Sequence, residues 1–379
     1  MPAENWPDRR SRALRQAYAS KAPAPRRGSA QAIVEGAVLQ VSLLSPDSSI
    51  SREPAANFAV HYANLHTALA LLAQPSRILG VVGYGIERPG VLPPACPFVA
   101  APLLPAAGGA MFEIWTAASP CRPCQVGPVI GACSDDLAFG AIKLDETGKA
   151  SLEAAVEAAY LNIFDFMQDI GFQTPIRFWN YLTSITDHDQ GLERYRRFNI
   201  GRHRAFSARL RQQVPPVASG VGGHQGAPVI YFLAAREPAM TIENPRQVSA
   251  YAYPPIYGPC SPSFSRASIY ARASAESLFI SGTASIVGHE TRHRGDLPGQ
   301  IAETAANLRA LIGAAAQAAT APLSGRWSVK IYVQDPGDCA AVEPAVDAVF
   351  GADAERLYLR GDICRSDLLM EIEAFRRSA

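Results

Sequence analysis

The sequence predicts an α+β protein of two tandem domains sharing one fold, with mixed sheets and helices packed on one face of each. Three observations carry that expectation. A pattern of helix, strand, helix and closing strand beginning at residue 151 is written again from residue 300 onward. The parallels extend to residues: Asn162 and Asn307 fall at similar points of the first helices, and "LERYRRFNIG" answers "VEPAVDAVFG" in the second. The chain is 379 residues long, 48% apolar and 18% charged, which is enough for two ordinary cores.

Taken in order, residues 1–30 are Arg-, Ala- and Pro-rich with no apolar stretch, so a mobile tail is expected and a secretory signal is not. Residues 31–150 read as a sheet with Pro- and Gly-rich loops. "SLEAAVEAAYLNIFDFMQDIG" has helical spacing and stops at Gly171; "PIRFWNYLTSI" is rich in branched and aromatic residues and reads as a strand. "GLERYRRFNIGRHRAFSARLRQQ" returns to helical periodicity with a basic face, and "PVIYFLAA" closes the copy. The second copy runs through the helix "QIAETAANLRALIGAAAQAA", the strand "WSVKIYVQD", the helix "DCAAVEPAVDAVFG" and the strand "LLMEIEAF". The expected divisions are a tail at 1–30, an N-terminal domain at 31–238 and a C-terminal catalytic domain at 239–379.

Lys and Arg number 35 and Asp and Glu 34, a net charge of +1, so no bulk field points to nucleic acid or an acidic membrane. No apolar run reaches the roughly 18 residues needed to span a bilayer. Seven cysteines, an odd number irregularly spaced, do not form a disulfide framework, and a cytoplasmic location is expected. The "CRPC" pair, Cys121 and Cys124, lacks a partner half beyond the single Cys96 and Cys133, and reads as loop cysteines. "GHETRHRGD" carries His289, Glu290 and His293 in an HExxH-like spacing, but Gly288 before it and a Gly-Asp turn after it argue for a loop. No metal and no cofactor are expected, and the default partner is a small molecule.

The two closing strands differ in one respect. Laid together, Tyr231 falls opposite Glu371 and Leu233 opposite Glu373, so the carboxylates exist in one copy only. Strand alternation puts both on one face, with Met370 and Ile372 on the other. A fold that demanded them would carry them twice, which favours a chemical role. The residues alone also allow both carboxylates to line a solvent face.

Over residues 255–375 the second copy resembles the RidA/YjgF deaminase family. "YGPCSPSFSRA" is similar to that family's "GPYSQA" opening and "LFISGTASI" to its "LFVSGQ" strand and turn; "ETAANLRAL" and "EIEA" are also similar. From about residue 150 onward the chain more closely resembles the chorismatases, built from two such domains. The segments that carry this are "IRFWNYLTSI…GLERYRRFNIGRHRAF", "YAYPPIYGPCSPSFSRA", "SGTASIVGHETRHRGD" and "ICRSDLLMEIEA". The resemblance implies removal of the enolpyruvyl group of chorismate as pyruvate, leaving a dihydroxycyclohexadiene carboxylate or a hydroxybenzoate. The RidA/YjgF resemblance implies proton transfer by Glu371, and carboxylate binding by an Arg fifteen residues earlier, where Arg356 stands. Cys364, seven residues before Glu371, resembles the hydroxybenzoate-forming type, so 3-hydroxybenzoate is expected, with 4-hydroxybenzoate as a co-product. Competing readings are hydrolysis to the diene diol, a RidA-type imine deaminase, and a non-enzymatic metabolite-binding module.

The chemistry suits the residues. Cleaving a vinyl ether starts with protonation of its methylene carbon, which needs a carboxylic acid still protonated near neutral pH. Burial raises a carboxyl pKa, and Glu371 sits between Met370 and Ile372. Two substrate carboxylates call for arginines, and Arg202, Arg266 and Arg356 are the candidates. Ser281, Gly282, Thr283 and Ala284, in a turn after an apolar strand, offer hydroxyls and backbone N–H groups. Tyr253 and Tyr257, with Tyr251 beside them, offer rings to wall a cyclohexadiene. Oligomeric state is left open.

Overall fold

The computed structural model describes residues 58–146, 151–210, 213–272 and 275–377; the expected tail at 1–30 lies outside the described residues. Two seven-stranded sheets dominate. In the first the strand order is Asp362–Ile363, Val217–Gly223, Thr174–Thr183, Val229–Ala235, Leu137–Lys143, Val129–Cys133, Arg122–Val126. In the second it is Leu104–Ala107, Glu355–Arg360, Trp327–Val333, Met370–Arg377, Ala275–Thr283, Ala267–Arg272, Met240–Ile242. The two orders match position for position. Each has one parallel pair, Thr174–Thr183 with Val217–Gly223 and Trp327–Val333 with Glu355–Arg360. Each sheet also takes its end strand from the other half of the chain, which ties the copies together.

The repeat begins at Arg122. Ahead of it, a separate four-stranded sheet runs Phe58–Ala63, Phe112–Ala117, Ile78–Tyr84, Phe98–Ala101, with the helix Leu65–Leu72 on its outer side. The loop between Ala235 and Met240 contains residue 238, where the second copy was expected to begin.

All three sheets turn one face to a common core, in which Trp115, Trp179, Tyr231, Phe279 and Phe375 pack together. Trp179 stacks on Tyr231 with ring centroids 4.6 Å apart. The outer faces carry the helices. Ile230, Phe232 and Ala234 meet the helices Leu152–Asp169 and Arg194–Arg209, while Met370, Ile372 and Ala374 meet Leu297–Ala318 and Cys339–Phe350. Helices on one face of each mixed sheet are thus what the α+β repeat builds. Strand alternation explains why "VIYFLAA" is apolar throughout: Tyr231 and Leu233 point to the shared core, and their neighbours to the helices.

The helices begin and end where the sequence signals them. Ser151 Oγ accepts the N–H of Ala154, and Gly171, at φ +74°, carries the chain out of the same helix. Residues such as Val156, Ile163, Leu308 and Leu311 are fully buried on the sheet side, each contributing roughly 1.5–3 kcal/mol. Among the described residues, no helix is long and apolar enough to cross a membrane.

Candidate active site

A pocket of about 600 Å³ opens where the two copies meet. The second copy supplies Gly282, Ala284 and Ile286, the segment Tyr253 to Arg266, and Cys364, Arg365 and Glu371. The first copy supplies Glu193, Tyr195 and Arg196, from the entry to the helix Arg194–Arg209.

Glu371 and Glu373 lie on the inward face of the closing strand, 5% and 3% exposed, which rules out the solvent-face alternative. The strand beside them is irregular. Ile280 pairs with Ala374 and Thr283 with Ile372, so Ser281 and Gly282 together stand opposite Glu373 as a bulge. The bulge brings Gly282 against the acid: a β-carbon there would lie 1.8 Å from Oε1 of Glu371. The Gly282 N–H donates to Ser219 Oγ at 2.8 Å.

The two carboxyls are polarised in opposite directions. Burial, then the Glu373 charge, push Glu371 up to about 8, against the pull of Arg177 and Arg266. It therefore faces the pocket as a neutral acid near pH 7. Glu373 accepts from Trp179 Nε1 at 2.6 Å, Lys330 Nζ at 2.8 Å, Arg177 Nη2 at 2.7 Å and Ser219 Oγ at 2.6 Å. Burial alone would raise its pKa, but Lys330 and Arg177 overcome that and hold it down at about 2.

The cations of the pocket are Arg266, Arg365 and Arg196. Arg266 is 2% exposed and donates through Nη2 to Tyr253 OH at 2.7 Å and to the Val248 carbonyl at 3.2 Å. Its buried Nε has no hydrogen-bond partner, leaving one arm of the fork for an anion. The Arg365 guanidinium lies 4.2 Å from the Tyr257 ring centroid and donates to the His289 carbonyl at 2.9 Å. Tyr257 OH donates to that same carbonyl at 2.6 Å, and its ring lies 5.3 Å from that of Tyr253. Burial, with Glu371 next to it, pushes the Cys364 thiol up to about 12, so a neutral thiol faces the pocket.

Seven of the residues singled out from the sequence meet here: Glu371, Cys364, Arg266, Tyr253, Tyr257, Gly282 and Ala284. Ser281 and Thr283 are on the strand but do not line the pocket, because alternation turns them into the protein, where Thr283 Oγ1 donates to the Ser281 carbonyl at 3.0 Å. Two arginines are placed elsewhere. Arg202 is 1% exposed in the helix layer of the first copy, donates to Asn199 Oδ1 at 2.8 Å and lies over the Phe198 ring. Arg356 lies on the helix side of the second sheet, paired with Glu343 at 3.3 Å and with Asp347. Residue type and spacing do not say which side of a helix or sheet a side chain faces.

Arg365, Glu193, Tyr195, Arg196 and Phe264 were not anticipated. Arg365 had a signal, since it follows Cys364 directly. The "HETRH" segment is no helix: Ile286–Val287 pairs with Glu290–Thr291 in a short hairpin, and His293 has φ +55°. Cys124 and Cys133 stand on adjacent strands and Cys121 at a strand edge, not in open loops, and all three thiols are free.

Residues 113–234 match a family model described as chorismatase FkbO/Hyg5-like, N-terminal. A protein named 3-hydroxybenzoate synthase from Streptomyces hygroscopicus is 35% identical over 310 residues, covering 78% of this chain and 90% of its own. A chorismatase of Streptomyces rapamycinicus is 34% identical over 307 residues, covering 78% and 91%. A crystal structure of a chorismatase superposes with a TM-score of 0.75 at 30% identity, covering 85% of this chain and 98% of that one.

Proposed function

The chain belongs to the chorismatase family, and from that premise we propose that it converts chorismate to 3-hydroxybenzoate and pyruvate, with Glu371 as the proton donor. The observation that carries this is a buried carboxyl, pushed up to about 8 by burial, on the wall of a pocket that also holds arginines.

Arg266, with its free Nε–H, and Arg365 are assigned to the two carboxylates of the substrate. Tyr253 and Tyr257 wall the ring between them. Glu371 gives its proton to the enolpyruvyl methylene, which becomes a methyl group, and positive charge develops at the ether-bearing carbon. Once ionised, Glu371 stabilises that charge in a site where the dielectric is low. The neighbouring ring hydroxyl adds to the charged carbon and its proton restores Glu371. The ring then loses a proton and a C–O bond to become aromatic, and the resulting hemiketal collapses to pyruvate. The ring proton ends on the phenol oxygen, so chorismate divides into its two products with no water consumed.

Capture by water instead would leave the diene diol. Cys364 supports the aromatic product, being the feature shared with the hydroxybenzoate-forming type. The test is to incubate the protein with chorismate, measure pyruvate, and identify the ring product by chromatography. Pyruvate with 3-hydroxybenzoate is expected; pyruvate with the diol would replace the product assignment. Glu371→Gln is expected to fold normally and lose turnover, and full turnover would remove Glu371 from its role.

A further inference from the structure

Glu371 and Glu373 sit two residues apart on one face of a buried strand, yet the hydrogen bonds from cations go to only one of them, Glu373. Four donors converge on Glu373, and two of these, Lys330 and Arg177, are cations. Among the described residues, no hydrogen bond reaches the Glu371 carboxyl. Lys330 in turn donates to Glu113 Oε2 at 2.9 Å and to Tyr231 OH at 2.8 Å. Glu113 comes from the four-stranded sheet ahead of the repeat and is fully buried, accepting also from Tyr84 OH at 2.6 Å and Trp115 Nε1 at 2.8 Å. The cluster therefore holds two anions, Glu113 and Glu373, against two cations, Lys330 and Arg177. These four charges balance one another without Glu371.

We propose that Glu373 is a positioning residue: a fixed anion, held by Lys330 and Arg177, that keeps Glu371 in its protonated form. The inference rests on the reading of Glu371 as the acid and assigns the charge that maintains it. Two carboxyls on one face of a buried strand, with Cα atoms about 7 Å apart, repel when both are ionised, and the one hydrogen-bonded to the cations takes the charge. The groups facing Glu371 are Glu373 on its own strand, Arg177 on Thr174–Thr183, Arg266 before Ala267–Arg272, Glu193, Tyr195 and Arg196 at the start of the Arg194–Arg209 helix, and Cys364 and Arg365 in the loop. Facing Glu373 are Lys330, Arg177, Tyr332, Tyr181 and, from the four-stranded sheet, Tyr62. The tyrosines among these, Tyr195 included, are raised by burial and stay neutral, so the carboxylates, Lys330 and the arginines set the balance.

The experiment is the pH profile of kcat/KM for wild type, Glu373→Gln and Glu373→Asp. In Glu373→Gln the high-pH limb is expected to move down by a unit or more, so activity relative to pH 6 drops about fivefold or more further at pH 8 than in wild type. Glu373→Asp, which keeps the charge, is expected to restore the limb. A merely structural role would lower activity at every pH and leave the limb in place, and that result overturns the proposal. A second measurement does not depend on how Glu373→Gln folds. The infrared intensity of protonated carboxyls at pH 7 must fall in Glu371→Gln; if it is unchanged there, Glu371 does not hold the proton and the inference is wrong. The two readings fail separately: full turnover in Glu371→Gln removes the acid, whereas an unmoved limb beside an inactive Glu371→Gln removes only the role of Glu373.

Discussion

A β-carbon on Gly282 and Oε1 of Glu371 cannot occupy their places together, since they would stand 1.8 Å apart. The backbone at Gly282 is not in the left-handed region, so the requirement for glycine comes from space alone. Gly282→Ala must therefore push the carboxyl out of line or move the bulge that holds it. Misplacing a reacting group by about 1 Å costs on the order of 100-fold. The expected outcome is a loss of kcat of about that size with a small change in thermal midpoint, read by steady-state kinetics and a melting curve.

The pH dependence has a definite sign. Glu371 is active when protonated, and its raised pKa of about 8 keeps that form populated below this value and loses it above. The rate constant kcat/KM is expected to fall tenfold per pH unit on the alkaline side of about 8. Stability follows the same group: its favourable contribution is complete below the ordinary 4.5 and is lost as pH rises through about 8. Glu373 runs the other way, contributing above 4.5 and losing that contribution as pH falls through about 2. A profile flat to pH 10 would show that Glu371 is not the donor.

The fold was legible because it is written twice, and the acid because the copies differ. Tyr231 in the first sheet points into the same core as Glu371 and Glu373 in the second, and only a comparison of the two strands marks the carboxylates as additions. The arginines were less legible. Arg266, just before the strand Ala267–Arg272, reaches the pocket, and Arg356, inside the strand Glu355–Arg360, does not; what separates them is which side of the sheet each faces. The most hidden part was the segment ahead of the repeat. Glu113 reads as one charge in "MFEIWTA", and nothing local shows that it meets Lys330, 217 residues away.

Arg365 and Arg356 make a pair for testing the pocket. Arg365→Lys keeps the charge but loses the planar stack on Tyr257 and the fixed fork. A charge-assisted hydrogen bond is worth about 1.5–3 kcal/mol, so KM is expected to rise on the order of 10- to 100-fold with kcat nearly unchanged. Arg356→Ala removes partly exposed ion pairs on the far face of the sheet and is expected to leave KM as it was. A rise in KM for Arg356→Ala with none for Arg365→Lys would reverse the assignment.

Lys330→Met carries the longest reach, because one ammonium group joins three sheets. Lys330 is 2% exposed, and Glu113 and Glu373 on either side push its pKa up despite burial, so it is charged throughout the working range. Methionine fills nearly the same volume, which leaves charge as the main change. Removing one partner of a buried pair costs about 3–5 kcal/mol, since the remaining charge has no compensation. Here Glu113 loses its cation outright, while Glu373 keeps Arg177. Adding Glu113→Gln to Lys330→Met removes the stranded anion and is expected to recover a large part of the loss. Denaturant unfolding of the two single variants and the double measures the coupling directly. Simple additivity would mean that the four-stranded sheet and the closing strand are not joined through this lysine.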